Sequence, residues 1–187
     1  MERYPSRKSA IMPALYIAQE ELGWISEEAV LWVANRLSLT PVQVQEVATF
    51  YTMYYKERVG KYHIQLCRTL SCMLCGGRKL AELIKQRCKL QCATTVAETA
   101  LDTAHHTPHS VLKSEDGFWS FEEVECLGSC GSAPMMQIND VFFEHLTEAK
   151  LLEILERIEK EEPNLRYSTV RESLGKGLPD LPRSEIW

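Results

Sequence analysis

The sequence predicts an α+β protein, an N-terminal helical bundle followed by a small α/β sandwich, on three observations. Residues 7 to about 56 repeat apolar side chains at helical spacing. From Lys61 the pattern changes to short runs of strand character, with a hairpin signal at Asn139-Asp140. Four cysteines, spaced as Cys67-x4-Cys72 and Cys126-x3-Cys130, sit where two of those runs give way to loops.

Ile11, Leu15, Ala18 and Leu22 share one helical face, and Gly23 ends that run. Ser26 caps a second helix, with Glu27 and Glu28 in its favourable first turn and Val30, Val33, Ala34 and Leu37 on its apolar face. Thr40 caps a third, with Pro41 at the first helical position and Val44, Val47, Ala48 and Tyr51 repeating the pattern. Val47, Phe50, Tyr51, Tyr54 and Tyr55 supply more apolar surface than three short helices readily bury. The bundle, residues 1–58, is therefore expected to pack on a partner protein.

Tyr62 to Leu66 predicts a strand entering the first cysteine loop, and Arg78 to Arg87 a helix leaving it. Phe118 to Glu125 predicts a second strand, running into the second loop. Met135 to Ile138 and Val141 to His145 flank Asn139-Asp140, two residues that tolerate positive φ. Thr147 caps a final helix carrying Leu151, Ile154, Leu155 and Ile158 on one side. These elements make a sandwich over residues 59–162, with both cysteine loops at one end. Residues 163–187 show no periodicity and predict an extended tail ending in Ile186-Trp187.

The chain has 187 residues, room for one domain or two small ones, and its 45% hydrophobic and 25% charged residues suit a soluble globular protein. A net charge of −5 and a pI near 5.6 argue against nucleic acid as partner. No apolar run approaches the roughly 20 residues that span a bilayer, so no direct membrane insertion is expected. Residues 1–8 lack the apolar core of a secretion signal and are too short and polar for a transit peptide. A reducing compartment follows. Seven cysteines, an odd number, exclude a complete disulfide framework and leave ligation, redox chemistry or packing.

Two loops that each offer two thiolates can hold an iron–sulfur cluster, which needs soft anionic ligands. Gly128 and Gly131 let the second loop fold tightly and bring backbone N–H groups to sulfur. Glu122, Glu123 and Glu125 approach that loop along its strand; carboxylates near a cluster lower its potential, and Arg68 acts in the opposite sense. There is no glycine-rich loop of a dinucleotide site and no nucleophile–base pair. The chain thus offers cluster ligands and no catalytic site of its own.

Other readings of the cysteines and histidines exist. Cys67-x4-Cys72-x2-Cys75 matches plant-type ferredoxins, but that fold is strand-rich and the reading leaves Cys126 and Cys130 unused. Cys72-x2-Cys75 could be a dithiol redox motif. Cys88-x3-Cys92 repeats the spacing of the second pair without an adjacent glycine. His105, His106 and His109 could serve zinc or belong to a solvated loop. Cys75 and Cys88 need no role beyond that of plain thiols.

The chain resembles the E-type subunit of the NADH:quinone oxidoreductase (complex I) family, which is its thioredoxin-like [2Fe-2S] component. The likeness is carried by Glu46-Val47-Ala48-Thr49-Phe50-Tyr51, Gly60-Lys61-Tyr62-His63-Ile64-Gln65, Cys67-Arg68-Thr69-Leu70-Ser71-Cys72-Met73-Leu74, Glu123-Val124-Glu125-Cys126-Leu127-Gly128-Ser129-Cys130, and Ala133 to Asp140. It covers residues 7 to about 160. The resemblance implies a thioredoxin-like [2Fe-2S] ferredoxin domain with Cys67, Cys72, Cys126 and Cys130 as cluster ligands. It also implies a partner flavoprotein subunit that binds NADH and FMN, other peripheral-arm subunits, and a cytoplasmic place on the inner face of the membrane. The chain would then be one component of an oxidoreductase, with no complete active site of its own. The same module in a soluble NAD-linked hydrogenase or formate dehydrogenase is the close alternative. Two departures stand out: an apparent insertion at about 88–113, and Cys75.

Overall fold

The computed structural model describes residues 4–92 and 111–166, apart from the side chain of Cys92, and divides at residue 58 into two units. The histidines at 105, 106 and 109 and the tail from 167 lie outside the described residues.

In the first unit a short 3-10 turn, Lys8–Ala10, leads into α1 (Ile11–Leu22), which Gly23 closes in the left-handed conformation. Helix α2 (Glu27–Leu37) starts where the Ser26 side chain accepts a hydrogen bond from the Ala29 N–H. Helix α3 (Pro41–Phe50) starts with a capping box: Thr40 accepts from the Gln43 N–H, and the Gln43 side chain accepts from the Thr40 N–H. Ile11, Leu15, Ala18, Val30, Val33, Ala34, Leu37, Val44 and Ala48 are buried together, as the spacing predicts. Leu22 is not among them. It stands at the last position of α1 and is 53% exposed.

Residues 51–56, expected to continue the helical run, turn back across the bundle instead. Tyr54 enters the core, its hydroxyl donates to the carbonyl of Met12 at 3.0 Å, and its ring meets Tyr16 edge-on. Gln19 fastens the return by donating to the Met53 carbonyl and accepting from the Tyr55 N–H. Tyr54 therefore belongs to the interior and not to a docking surface. Val47, Tyr51 and Tyr55 are half-buried, whereas Phe50 remains 78% exposed.

The second unit is built on a six-stranded sheet. Its strands are β1 (Tyr62–Cys67), β2 (Gln91–Cys92), β3 (Leu112–Lys113), β4 (Trp119–Val124), β5 (Met136–Ile138) and β6 (Val141–Phe143), in the order β2-β3-β4-β1-β5-β6. β1 and β4 are parallel, and the other neighbours are antiparallel. Helices α4 (Leu70–Leu74) and α5 (Gly77–Arg87) connect β1 onward, and α6 (Glu148–Glu161) follows the hairpin. Tyr62, Ile64, Leu66, Phe121, Met136 and Ile138 fill one sheet face, and α5 lies against β1 and α6. The opposite face is polar but satisfied: buried His63 bonds to Ser120 and Glu122, and Gln65 donates to Glu122 at 2.7 Å.

Three elements have no clear signal in the sequence. α4 is a single turn, and β2 and β3 are two residues each at the ends of the 88–113 stretch, too short for periodicity to register. Residues 163–166 still belong to this unit. Leu165 is buried, its carbonyl accepts from the Asp140 N–H, and the Pro163 carbonyl accepts from the Tyr62 hydroxyl.

Candidate metal centre

The parallel pairing of β1 with β4 sets Cys67 beside Val124 in register. Both strands therefore release their chains at the same end, and the loops carrying Cys67–Cys72 and Cys126–Cys130 emerge side by side. The Arg68 N–H donates to the Val124 carbonyl at 3.0 Å and the Cys67 N–H to the Met135 carbonyl at 3.3 Å, so the ladder extends past the strand ends into the loops.

Cys67 and Cys72 are 2% and 1% exposed and pack with Met135, bordered by Leu127 and Ala133. Cys72 is held there by the start of α5. A Cβ at Gly77 would lie 2.8 Å from the Cys72 carbonyl oxygen, so only glycine lets the helix begin this close. Cys126 and Cys130 are exposed, with their sulfurs 3.4 Å apart. Gly128 adopts φ +88°, and its N–H lies 3.4 Å from the Cys126 sulfur. Ser129 and Ser132 bracket Cys130, and the hydroxyls of both donate to the Glu144 carboxylate, Ser132 at 2.7 Å.

The four thiols act on one another. Burial raises the Cys72 thiol to about 11, helped by its hydrogen bond with Cys67 and by the charge of Cys130. Burial also works to raise Cys67, but hydrogen bonds from the Thr69 hydroxyl, the Thr69 and Leu127 N–H groups and Cys72 hold it below its ordinary value. The Gly128 N–H, Cys130 and Thr69 lower the Cys126 thiol, and Cys126 in turn raises Cys130. Four thiols this close cannot all ionise alone, and a cation or a cluster with cationic metal relieves the repulsion.

Among the described residues, no three His, Cys, Asp or Glu side chains are placed around a single metal ion. The thiols come instead as two pairs, the pattern a two-iron centre needs. A tetrahedral ion with metal–sulfur bonds of about 2.3 Å separates its sulfurs by about 3.8 Å. The 3.4 Å between Cys126 and Cys130 is close to that spacing. The donor set thus fits an iron–sulfur cluster.

The charged neighbours are more balanced than the sequence suggests. Arg68 pairs with Glu125 at 2.7 Å, Glu123 with Lys85 at 3.2 Å, and Glu122 lies in the His63 network. Cys88 is buried at the end of α5, where its thiol is pushed up to about 12, and serves packing. Cys75 is an exposed thiol at the end of α4. Sequence reasoning missed Thr69 and Glu144. A hydroxyl two residues after Cys67 was a readable clue to the first, whereas nothing local points from Glu144 to Ser129, fifteen positions earlier.

The family model for thioredoxin-like [2Fe-2S] ferredoxins matches this chain over residues 1–107 and 87–159. The E-type subunit of NADH-quinone oxidoreductase from Rickettsia conorii is 36% identical over 164 residues, covering 86% of this chain and 87% of the relative. An E-type subunit of NADH-quinone oxidoreductase from Rhizobium meliloti is 39% identical over 157 residues, covering 82% of this chain and 81% of the relative. The crystal structure of an NAD+-reducing [NiFe]-hydrogenase in the H2-reduced state superimposes with a TM-score of 0.58 at 17% identity. That match covers 80% of this chain but only 22% of the hydrogenase chain, and at this identity it speaks for the fold alone. With its paired thiols, its mixed sheet and these relatives, the chain belongs to the thioredoxin-like [2Fe-2S] ferredoxin family.

Proposed function

We propose that this chain is the electron-transfer subunit of an NADH:quinone oxidoreductase. In this reading it holds one [2Fe-2S] cluster on Cys67, Cys72, Cys126 and Cys130 and exchanges an electron with FMN in an NADH-binding flavoprotein partner. One observation carries the ligand assignment: two thiol pairs meet at the shared end of β1 and β4, within electrostatic reach of one another. The names and length coverage of the relatives support the wider function.

Bound there, a two-iron cluster supplies a site that accepts and returns a single electron. The protein's own groups do the rest. Cys67 and Cys72 seat the cluster in the packed end of the sheet and exclude water on that side. Cys126 and Cys130, at the surface, mark the side a redox partner approaches. N–H groups of Thr69, Leu127, Gly128 and Met135 point at the sulfurs and offset their charge. Beside the site, the charges of Arg68 and Glu125 offset one another.

A dithiol oxidoreductase built on Cys72 and Cys75 fits less well. Cys72 is buried and its thiol is raised to about 11, the opposite of an exposed low-pKa nucleophile. No helix among the described residues is long and apolar enough to cross a membrane. In this reading, association with the inner face of the membrane runs through partner subunits, and exposed Phe50 and Trp32 on the helical unit offer apolar contact for them.

Iron and acid-labile sulfide analysis of protein purified without oxygen tests the cluster, with about two of each expected per chain. A metal-free protein with full disulfide reductase activity overturns the reading. Co-purification with a flavoprotein from native membranes rather than cytosol tests the complex.

A further inference from the structure

Thr69 stands at the N-cap of α4, where a threonine hydroxyl ordinarily accepts a hydrogen bond from a backbone N–H two or three residues on. Ser26, Thr40 and Thr147 make that bond at the starts of α2, α3 and α6, and Thr69 does not. Its hydroxyl lies instead 3.2 Å from the sulfur of Cys67. Between a thiol and a hydroxyl either group can donate, but a cysteine bound to iron is a thiolate and can only accept. Donation then falls to Thr69.

We infer that Thr69 is a positioning residue of the cluster site, whose hydroxyl donates to the Cys67 sulfur and favours the reduced cluster. This rests on Cys67 being a ligand. Reduction adds one negative charge, shared by the sulfurs, so a donor aimed at one of them stabilises the reduced state more than the oxidised one.

The test is an EPR-monitored redox titration of the full, cluster-loaded chain with Thr69→Val and Thr69→Ser. Valine keeps the shape and removes the hydroxyl, and no cap bond is lost with it. Thr69→Val should disfavour reduction about tenfold, equivalent to about 59 mV for one electron. Thr69→Ser should stay within about threefold of the native protein. A valine variant that loads its cluster and titrates at the native potential overturns the inference. Should the valine variant fail to take up iron, the serine variant decides. Loading by serine alone supports the hydroxyl's role, and failure of both overturns it. The native protein run alongside separates the two levels: if it holds no iron or sulfide, the ligand assignment itself has failed.

Discussion

Cys67 and Cys72 are buried, one at the end of a central strand and one inside a short helix, whereas Cys126 and Cys130 lie exposed in a loop whose regular structure is one 3-10 turn, Cys130–Ser132. The first pair takes its position from the core. β1 is buried along its whole length, and α5 begins against the Cys72 backbone. The second pair takes its position from hydrogen bonds: Gly128 N–H to sulfur on one side, Ser129 and Ser132 to Glu144 on the other. Together the two pairs reconcile opposed demands within a small fold. The proposed redox centre would need a fixed seat, which packing provides, and an accessible side, which a locally bonded loop leaves open.

Removing a buried thiol of the proposed ligand set puts this contrast to its most severe trial. Cys72→Ala should abolish the cluster, read as loss of iron and of the visible absorption, and Cys126→Ser should shift or destroy the spectrum. Cys88→Ser, equally buried but outside the site, should leave the spectrum unchanged. If the three behaved alike, the ligand assignment would be wrong.

Two glycine substitutions compare the loops more finely. In Gly77→Ala the new methyl would sit 2.8 Å from the Cys72 carbonyl oxygen, in a place that cannot yield without moving Cys72. A cost of about 1–3 kcal/mol is expected, seen as a lower thermal midpoint together with reduced iron content. Gly128→Ala meets nothing within 4 Å, so only the left-handed backbone at φ +88° opposes it. That strain is worth about 1–2 kcal/mol, and the variant should keep its iron. Iron loss from the second variant but not the first would reverse the assignment of rigid and yielding loops.

Glu144→Gln should have the smallest effect. It exchanges a charged acceptor for a neutral one at a half-buried position, a difference of about 1 kcal/mol. The expected signature is faster release of iron to a chelator with little change in thermal midpoint, because the clamp holds the exposed loop and not the core.

The features legible in the amino-acid order alone all act within a turn or two of chain. Ser26, Thr40-Pro41 and Thr147 start their helices where expected, and the hairpin forms at Asn139-Asp140 with Asn139 at φ 51°. Caps and turns can be read because the groups that satisfy each other are close in sequence. The cysteine spacing belongs here too, since each pair is local.

Other features emerge only on folding, because they join residues far apart in the chain. The parallel register of β1 and β4 sets Arg68 against Glu125 and brings the two cysteine pairs to one end. Folding 51–55 back on Gln19 and Met12 turns Tyr54 from an exposed aromatic into core. Strand β3 forms by pairing with the edge of β4, and β2 in turn by pairing with β3. Periodicity records which face of an element is apolar, but not which distant element will cover it. That choice is made when strands pair and helices pack, and here it brings two local thiol pairs side by side.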